Sequence, residues 1–406
     1  MHMTDNHNRA SQIADGVRAW LANDGDLLER SVDSTVADGL FPRHDVLHMV
    51  EQIRQTVTEP ALTQWLERLE RLEQQEQQDQ QDQLEHQQEQ QQQQEQQQQQ
   101  EQQGQQLQQD RKFRNAPRGT AKKVLCLHAG NLPMVGLQDV IAVLLSGGIY
   151  HGKLSRNDPW LLDGLLRLLR ERLPGQFGGW AVNMENLPAA EADDVLFAGS
   201  QASVDTVSQR IRELNLARPD ARFLPRTARL SMARIQKAQT GSASVWSDLA
   251  EAMLRYEGAG CRSVAVVVSD MELKDAAEPL SKAAKVFLRN NPPAGERLPV
   301  VRWWRSYLRS VGKKVHDIGT QIVVDDPEMT GREGIICWVK GDDNELIRMA
   351  RRFGPQLQSV YFPDDAGVSA ALGGVDEIRP EPLSVAQAPP IDWQPDGIDV
   401  LSWLTE

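Results

Sequence analysis

Covalent chemistry in this sequence is best sought at one cysteine beside flexible backbone. Gly258-Ala259-Gly260-Cys261-Arg262 lies between a helical stretch ending near Tyr256 and a β-branched run starting near Ser263. Two glycines allow a tight turn and let a ligand approach the backbone closely. A cysteine on such a turn is presented to a pocket. Its thiolate, stabilised by Arg262 or by free backbone N–H groups, is a nucleophile. A free cysteine is more commonly buried and inert, so the turn needs company. Three other segments supply it. Asn131, in His128-Ala129-Gly130-Asn131-Leu132-Pro133, follows a strand and brings an amide able to donate to a developing oxyanion. Lys153 closes a second strand, where a side chain points into the ligand crevice of open α/β sheets. It suits a ribose hydroxyl, with Ser155 assisting. Gly199-Ser200 opens a helix whose first amides suit a pyrophosphate. Taken singly, each reads more simply as a turn, a solvated lysine or a strand-to-helix connection. No G-x-G-x-x-G run is present. His128, His151 and His316 lack metal-ligand spacing with the cysteines, so no metal is expected.

These segments sit in an alternating pattern. Val124–Leu127, Ile149–Lys153 and Asp194–Ala198 read as strands, and 136–145, 160–173 and 204–214 as helices. Such alternation implies a parallel sheet covered on both faces. A second α/β stretch follows. It has a helix over Val245–Tyr256, a fully buried strand over Ser263–Val268, helices at 273–290 and 298–310, and a strand–helix–strand at 335–362. Trp393 and Trp403 are expected to anchor the C-terminal stretch. Ahead of all this, Ile13, Val17 and Trp20, then Leu62, Trp65, Leu66 and Leu69, recur at helical spacing. Between the helical and α/β regions, 74–109 is almost wholly Gln, Glu and Asp. It cannot repay the entropy of packing, and reads as a disordered spacer or a solvated helix continuing from Leu72.

The formal net charge of −13 repels phosphate backbones and argues against nucleic acid as a partner. Three widely spaced cysteines, Cys126, Cys261 and Cys337, are not a disulfide scaffold. No apolar run approaches a membrane span, and no N-terminal stretch reads as a secretory signal. A cytoplasmic protein with reduced thiols is expected.

From about Lys122 onward the chain resembles the LuxC-like acyl-CoA reductases of the aldehyde dehydrogenase superfamily. The resemblance rests, in order, on Ala129-Gly130-Asn131-Leu132-Pro133, Gly152-Lys153-Leu154-Ser155, Ala198-Gly199-Ser200 and Tyr256-Glu257-Gly258-Ala259-Gly260-Cys261-Arg262, with 396–404 as a matching tail. It implies an aldehyde dehydrogenase-like α/β fold, with a Rossmann-like parallel-sheet cofactor domain and an α/β catalytic domain. The divisions are a helical N-terminal element (1–73), a Gln/Glu-rich spacer (74–112), a dinucleotide-binding domain (113–235), a catalytic domain (236–385) and a tail packing back on the core (386–406). It also implies roles. Cys261 attacks an acyl-CoA or acyl-carrier thioester. Asn131 and the Cys261 N–H hold the oxyanion. Lys153 and Ser155 contact the adenosine ribose, Gly199 and Ser200 underlie the pyrophosphate, and hydride transfer releases an aldehyde. Relatives usually assemble as homo-oligomers.

Three departures refine this expectation. Hydrolytic aldehyde dehydrogenases carry a general-base Glu in a strand before the nucleophile, whereas Pro225–Ser231 has no carboxylate. A thioester with no base to activate water survives for reduction. Arg156 stands three residues after Lys153, where NAD-preferring relatives often place Glu. Its guanidinium can pair with a 2′-phosphate, favouring NADPH, with NADH as the alternative. Arg351 occupies the position of the ribose-binding Glu before Phe353-Gly354-Pro355, so no carboxylate is assigned there. The rival readings are a cysteine-dependent acyltransferase or thioesterase without hydride transfer, and a non-catalytic scaffold on the same fold.

Overall fold

The computed structural model describes residues 3–22, 26–98, 121–295, 298–364, 375 and 378–406. Four helices open the chain: α1 (Met3–Leu21), α2 (Leu27–Ala37), α3 (Arg43–Thr56) and α4 (Glu59–Gln98). The stripe Leu62, Trp65, Leu66 and Leu69 is buried. Beyond it the Gln-rich sequence continues the same helix to Gln98, as suits good helix formers with nothing to pack. The rest of that tract, 99–109, and the approach to the first strand lie outside the described residues.

A five-stranded sheet follows, built from β1 (Lys123–Leu127), α5 (Leu137–Leu145), β2 (Ile149–Lys153), α6 (Trp160–Arg172), β3 (Phe177–Ala181), β4 (Ala192–Ala198), α7 (Val204–Glu213) and β5 (Ala217–Arg226). Its order is β3-β2-β1-β4-β5, and every pairing is parallel. The period of two divides β1 between two cores. Val124 and Cys126 face α5, α6 and the N-terminal helices, while Leu125 and Leu127 face the α7 side. The N-terminal helices thus cover one face of this sheet.

The second sheet has seven strands: β6 (Leu230–Ile235), then α8 (Ala243–Leu254), β7 (Val264–Ser269), α9 (Leu273–Asn290), α10 (Leu298–Ser310), β8 (His316–Asp317), β9 (Ile322–Val324), β10 (Ile335–Lys340), α11 (Asp343–Phe353), β11 (Leu357–Phe362) and β12 (Pro380–Pro382). The order is β12-β11-β6-β7-β10-β9-β8. β6 lies within 113–235, yet it pairs with β7 and β11 of the second sheet. All its side chains are buried, so it belongs where both faces are covered. The chain closes with α12 (Val400–Thr405), whose Val400, Leu401 and Leu404 join the core around α5. Among the described residues no helix is long and apolar enough to cross a membrane.

Candidate active site

The C-terminal ends of β1, β2 and β4 carry Asn131, Lys153 and Gly199-Ser200, at or just past the strand ends. The turn bearing Cys261 leads into the N-terminal end of β7. Strand ends of the two sheets meet here, and the contact between Asn131 and Ala259 defines the site.

The turn bearing Cys261 is forced by backbone conformation. Tyr256, Glu257 and Gly258 are successive left-handed residues, with φ of +53°, +53° and +72°. Such positions in non-glycine residues cost about 1–3 kcal/mol each and persist only when surroundings over-determine them. Here Gln321 does so. Its amide donates to Met253 O (2.7 Å) and Glu257 O (3.3 Å). A Cβ on Gly258 would sit 1.9 Å from that amide nitrogen, so glycine is required by space as well as by φ. Ser263 N donates to Gly260 O at 3.0 Å, and the Ser231 hydroxyl donates to Cys261 O at 2.9 Å. The next residue into the bend is therefore held on both sides.

Across the sheet boundary, Asn131 Nδ2 donates to Ala259 O at 2.9 Å, and Leu132 lies where a Cβ on Gly260 would make close contact at 3.2 Å. The Asn131 amide is thus oriented by one N–H, leaving a second free. The structure brings Asn131 to the Cys261 turn directly. Lys153, half-buried, is tied through the backbone, its O accepting from His128 N (3.1 Å). Burial first, then Arg156, lowers the Lys153 pKa. Arg156 is exposed. Ser155 is buried, with its hydroxyl accepting from Asn157 N (3.0 Å) and packed against Gly130, where any side chain would collide. Gly199 N donates to Arg226 O (3.2 Å), and the Ser200 and Ser203 hydroxyls share a 2.5 Å bond. The Ser155 hydroxyl and the Gly199 amide are therefore engaged within the protein.

Cys261 is half-buried and unpaired. Burial, then the charge of Asp396, pushes its thiol up to about 11, against a weaker opposing pull from Arg262 and Arg226. Arg262 was expected to stabilise the thiolate, but its guanidinium is committed elsewhere. It donates to Ala386 O (2.8 Å), Val385 O (2.9 Å) and Glu381 (2.7 Å), and lies 4.5 Å from the Trp393 ring centre. It pins the C-terminal tail beside the turn.

Sequence reasoning missed Asp396 and Ser231. Asp396 sits in Pro395-Asp396-Gly397 at φ +56° and accepts from Thr227 N (2.8 Å) and Ala228 N (3.1 Å). These amides fall in the very stretch, 225–231, that lacks a carboxylate of its own. The Asp-Gly pair in a tail resembling the family's was the available signal. Trp303 and Tyr307 on α10 are 58% and 46% exposed, their rings stacked at 5.4 Å. Among the described residues no His/Cys/Asp/Glu group could hold a metal.

The model of the acyl-CoA reductase (LuxC) family matches residues 40–294. No curated protein matches the sequence. Among solved structures, aldehyde dehydrogenase 21 from Physcomitrella patens, crystallised with its reaction product succinate, is similar at a TM-score of 0.57 and 12% identity, over 89% of this chain and 74% of that one. An indole-3-acetaldehyde dehydrogenase in complex with NAD+ is similar at a TM-score of 0.50 and 12% identity, over 64% of this chain. This chain spans 60% of that dehydrogenase's length. Likeness at such identity establishes the fold, which is aldehyde dehydrogenase-like.

Proposed function

This chain belongs to the acyl-CoA reductase (LuxC) family, and on that premise we propose that it reduces an acyl thioester to an aldehyde through a covalent Cys261 intermediate. The observation that carries this reading is the hydrogen bond from Asn131 to Ala259 O. It sets an oriented amide donor beside the nucleophile turn, across the seam between the sheets.

The Cys261 sulfur attacks the thioester carbonyl carbon. The carbonyl oxygen takes up charge and is met by the free N–H of Asn131 and the backbone N–H of Cys261. The carbon–sulfur bond to the donor then breaks, its thiolate leaves protonated, and the acyl group remains on Cys261. Lys153 and Arg156 have no ion-pair partner among the described residues, and Arg156 depresses the Lys153 pKa. Two neighbouring cations at a strand end, with Glu185 near Arg156, fit the ribose and 2′-phosphate of NADPH, with NADH the weaker fit. Ser155 is read as assisting at the ribose, and Gly199-Ser200, just past the end of β4, as underlying the pyrophosphate. When bound, the reduced dinucleotide supplies the hydride. Cys261 then leaves as the aldehyde is released.

The five-stranded sheet is read as the dinucleotide-binding unit and the seven-stranded sheet as the catalytic one. The exposed Trp303 and Tyr307 favour self-association into a homo-oligomer. Three unpaired cysteines, two of them buried, suit a reducing cytoplasm. The test is to mix purified protein with NADPH or NADH and acyl-CoAs of graded length, and to follow the reduced cofactor by absorbance. Thioester-dependent oxidation, faster with NADPH, is expected. No oxidation with any acyl length or either cofactor contradicts the reading.

A further inference from the structure

Three charged side chains bear on the Cys261 sulfur: Asp396, Arg262 and Arg226. Neither arginine can accept a proton at physiological pH. Both are also held away, Arg262 on Glu381 and two tail carbonyls, Arg226 on Asp139 at 2.5 Å. Asp396 differs. One carboxylate oxygen accepts from Thr227 and Ala228 N–H, and its own N–H donates to Gln358 at 3.2 Å. The other oxygen has no hydrogen-bond partner among the described residues. The amides that hold it precede β6 by two or three residues, and Ser231 on β6 holds Cys261 O. The tail therefore delivers a carboxylate to the same strand end as the nucleophile, with one oxygen fixed and one free.

Resting on the acyl-enzyme reading above, we infer that Asp396 is the base of the acylation step. Its free oxygen takes the Cys261 proton, directly or across one water, as the sulfur attacks. The S–H bond breaks and a carboxyl O–H forms. The Cys261 sulfur gains its bond to the acyl carbon while the donor's carbon–sulfur bond breaks. The departing thiolate takes the proton back from Asp396, which ends as it began. In the resting enzyme the thiol keeps its proton. Transfer is coupled to bond formation, when charge passes from sulfur to the carbonyl oxygen held by Asn131. The backbone grip on the second oxygen fixes the carboxylate without using the oxygen that reacts.

The test compares wild type, Asp396→Asn and Asp396→Glu in single-turnover acylation by an acyl-CoA without reduced cofactor, across a pH series. Labelling of Cys261 by iodoacetamide is measured over the same series. Asn retains the acceptor for Thr227 and Ala228. Its acylation is expected to slow by about 100-fold at every pH of the series. Labelling of Cys261 in the same variant moves to lower pH, because a negative charge has gone. Asp396→Glu, which keeps a carboxylate, recovers part of the rate. Asp396→Asn acylating at the wild-type rate with an unchanged profile overturns the role. So does Asp396→Glu acylating no faster than Asp396→Asn while both label normally. Wild type that forms no acyl adduct sinks the acyl-enzyme reading itself, a result distinct from either.

Discussion

The two sets of strand ends that meet at Cys261 are built in different ways. The five-stranded sheet presents single residues, Lys153 and Gly199 held by neighbouring strands and Asn131 reaching across to Ala259 O. The end of the seven-stranded sheet is assembled from distant parts. Its cysteine turn is bent by three left-handed residues, clamped by Gln321, and fastened through Arg262 to a tail that also brings Asp396. The tail is itself held by the N-terminal helices, since Arg68 on α4 pairs with Asp392 at 2.5 Å and Asp399 at 2.6 Å. The first end is the more local, as a cofactor surface can be. The other is over-determined, as a strained turn requires.

That contrast can be broken by substitution on either side. The largest effect is expected at Asn131, the bridge between the two sheets. Asn131→Ala removes the proposed oxyanion donor and should lower kcat by about 10²–10³-fold, with the folded state intact by thermal melting. Unchanged kcat would remove Asn131 from the chemistry and leave it as a tether. Next comes Gly258→Ala, on the over-determined side. Its φ of +72° and the 1.9 Å approach to Gln321 predict a loss of about 1–3 kcal/mol in denaturant unfolding, together with slower acylation. A variant as stable as wild type would show that the turn relaxes freely. The smallest effect is expected on the local side. Arg156→Glu should shift kcat/KM from NADPH toward NADH by about tenfold, roughly one charge-assisted hydrogen bond, and leave stability unchanged. No shift in cofactor preference would place Arg156 in solvent rather than on the phosphate.

The same contrast explains what the sequence disclosed. β1, β2, β4 and β7 are interior strands, and the apolar runs within β1, β4 and β7 are readable. β3 and β5 escaped notice because both are edge strands of their sheet. Edges tolerate the two glycines of Phe177–Ala181 and the prolines Pro219 and Pro225, which weaken a strand signal. β6 escaped because Ser231 and Arg234 interrupt its pattern, although both are buried. Arg234 is neutralised there by Asp343 at 2.9 Å. Cys261 and Asn131 were legible from glycine spacing and from position after a strand. Asp396, and the real engagement of Arg262, were not. Their partners lie far away in the chain, and only tertiary packing brings them together.

Intact-mass measurement after exposure to an acyl-CoA, with no reduced cofactor present, asks the central question most directly. Wild type should gain the mass of one acyl group, lose it when NADPH is added, and release aldehyde, while Cys261→Ser gains nothing. An acyl adduct on Cys261→Ser, or none on wild type, would contradict the assignment of this sulfur as the group that carries the acyl chain.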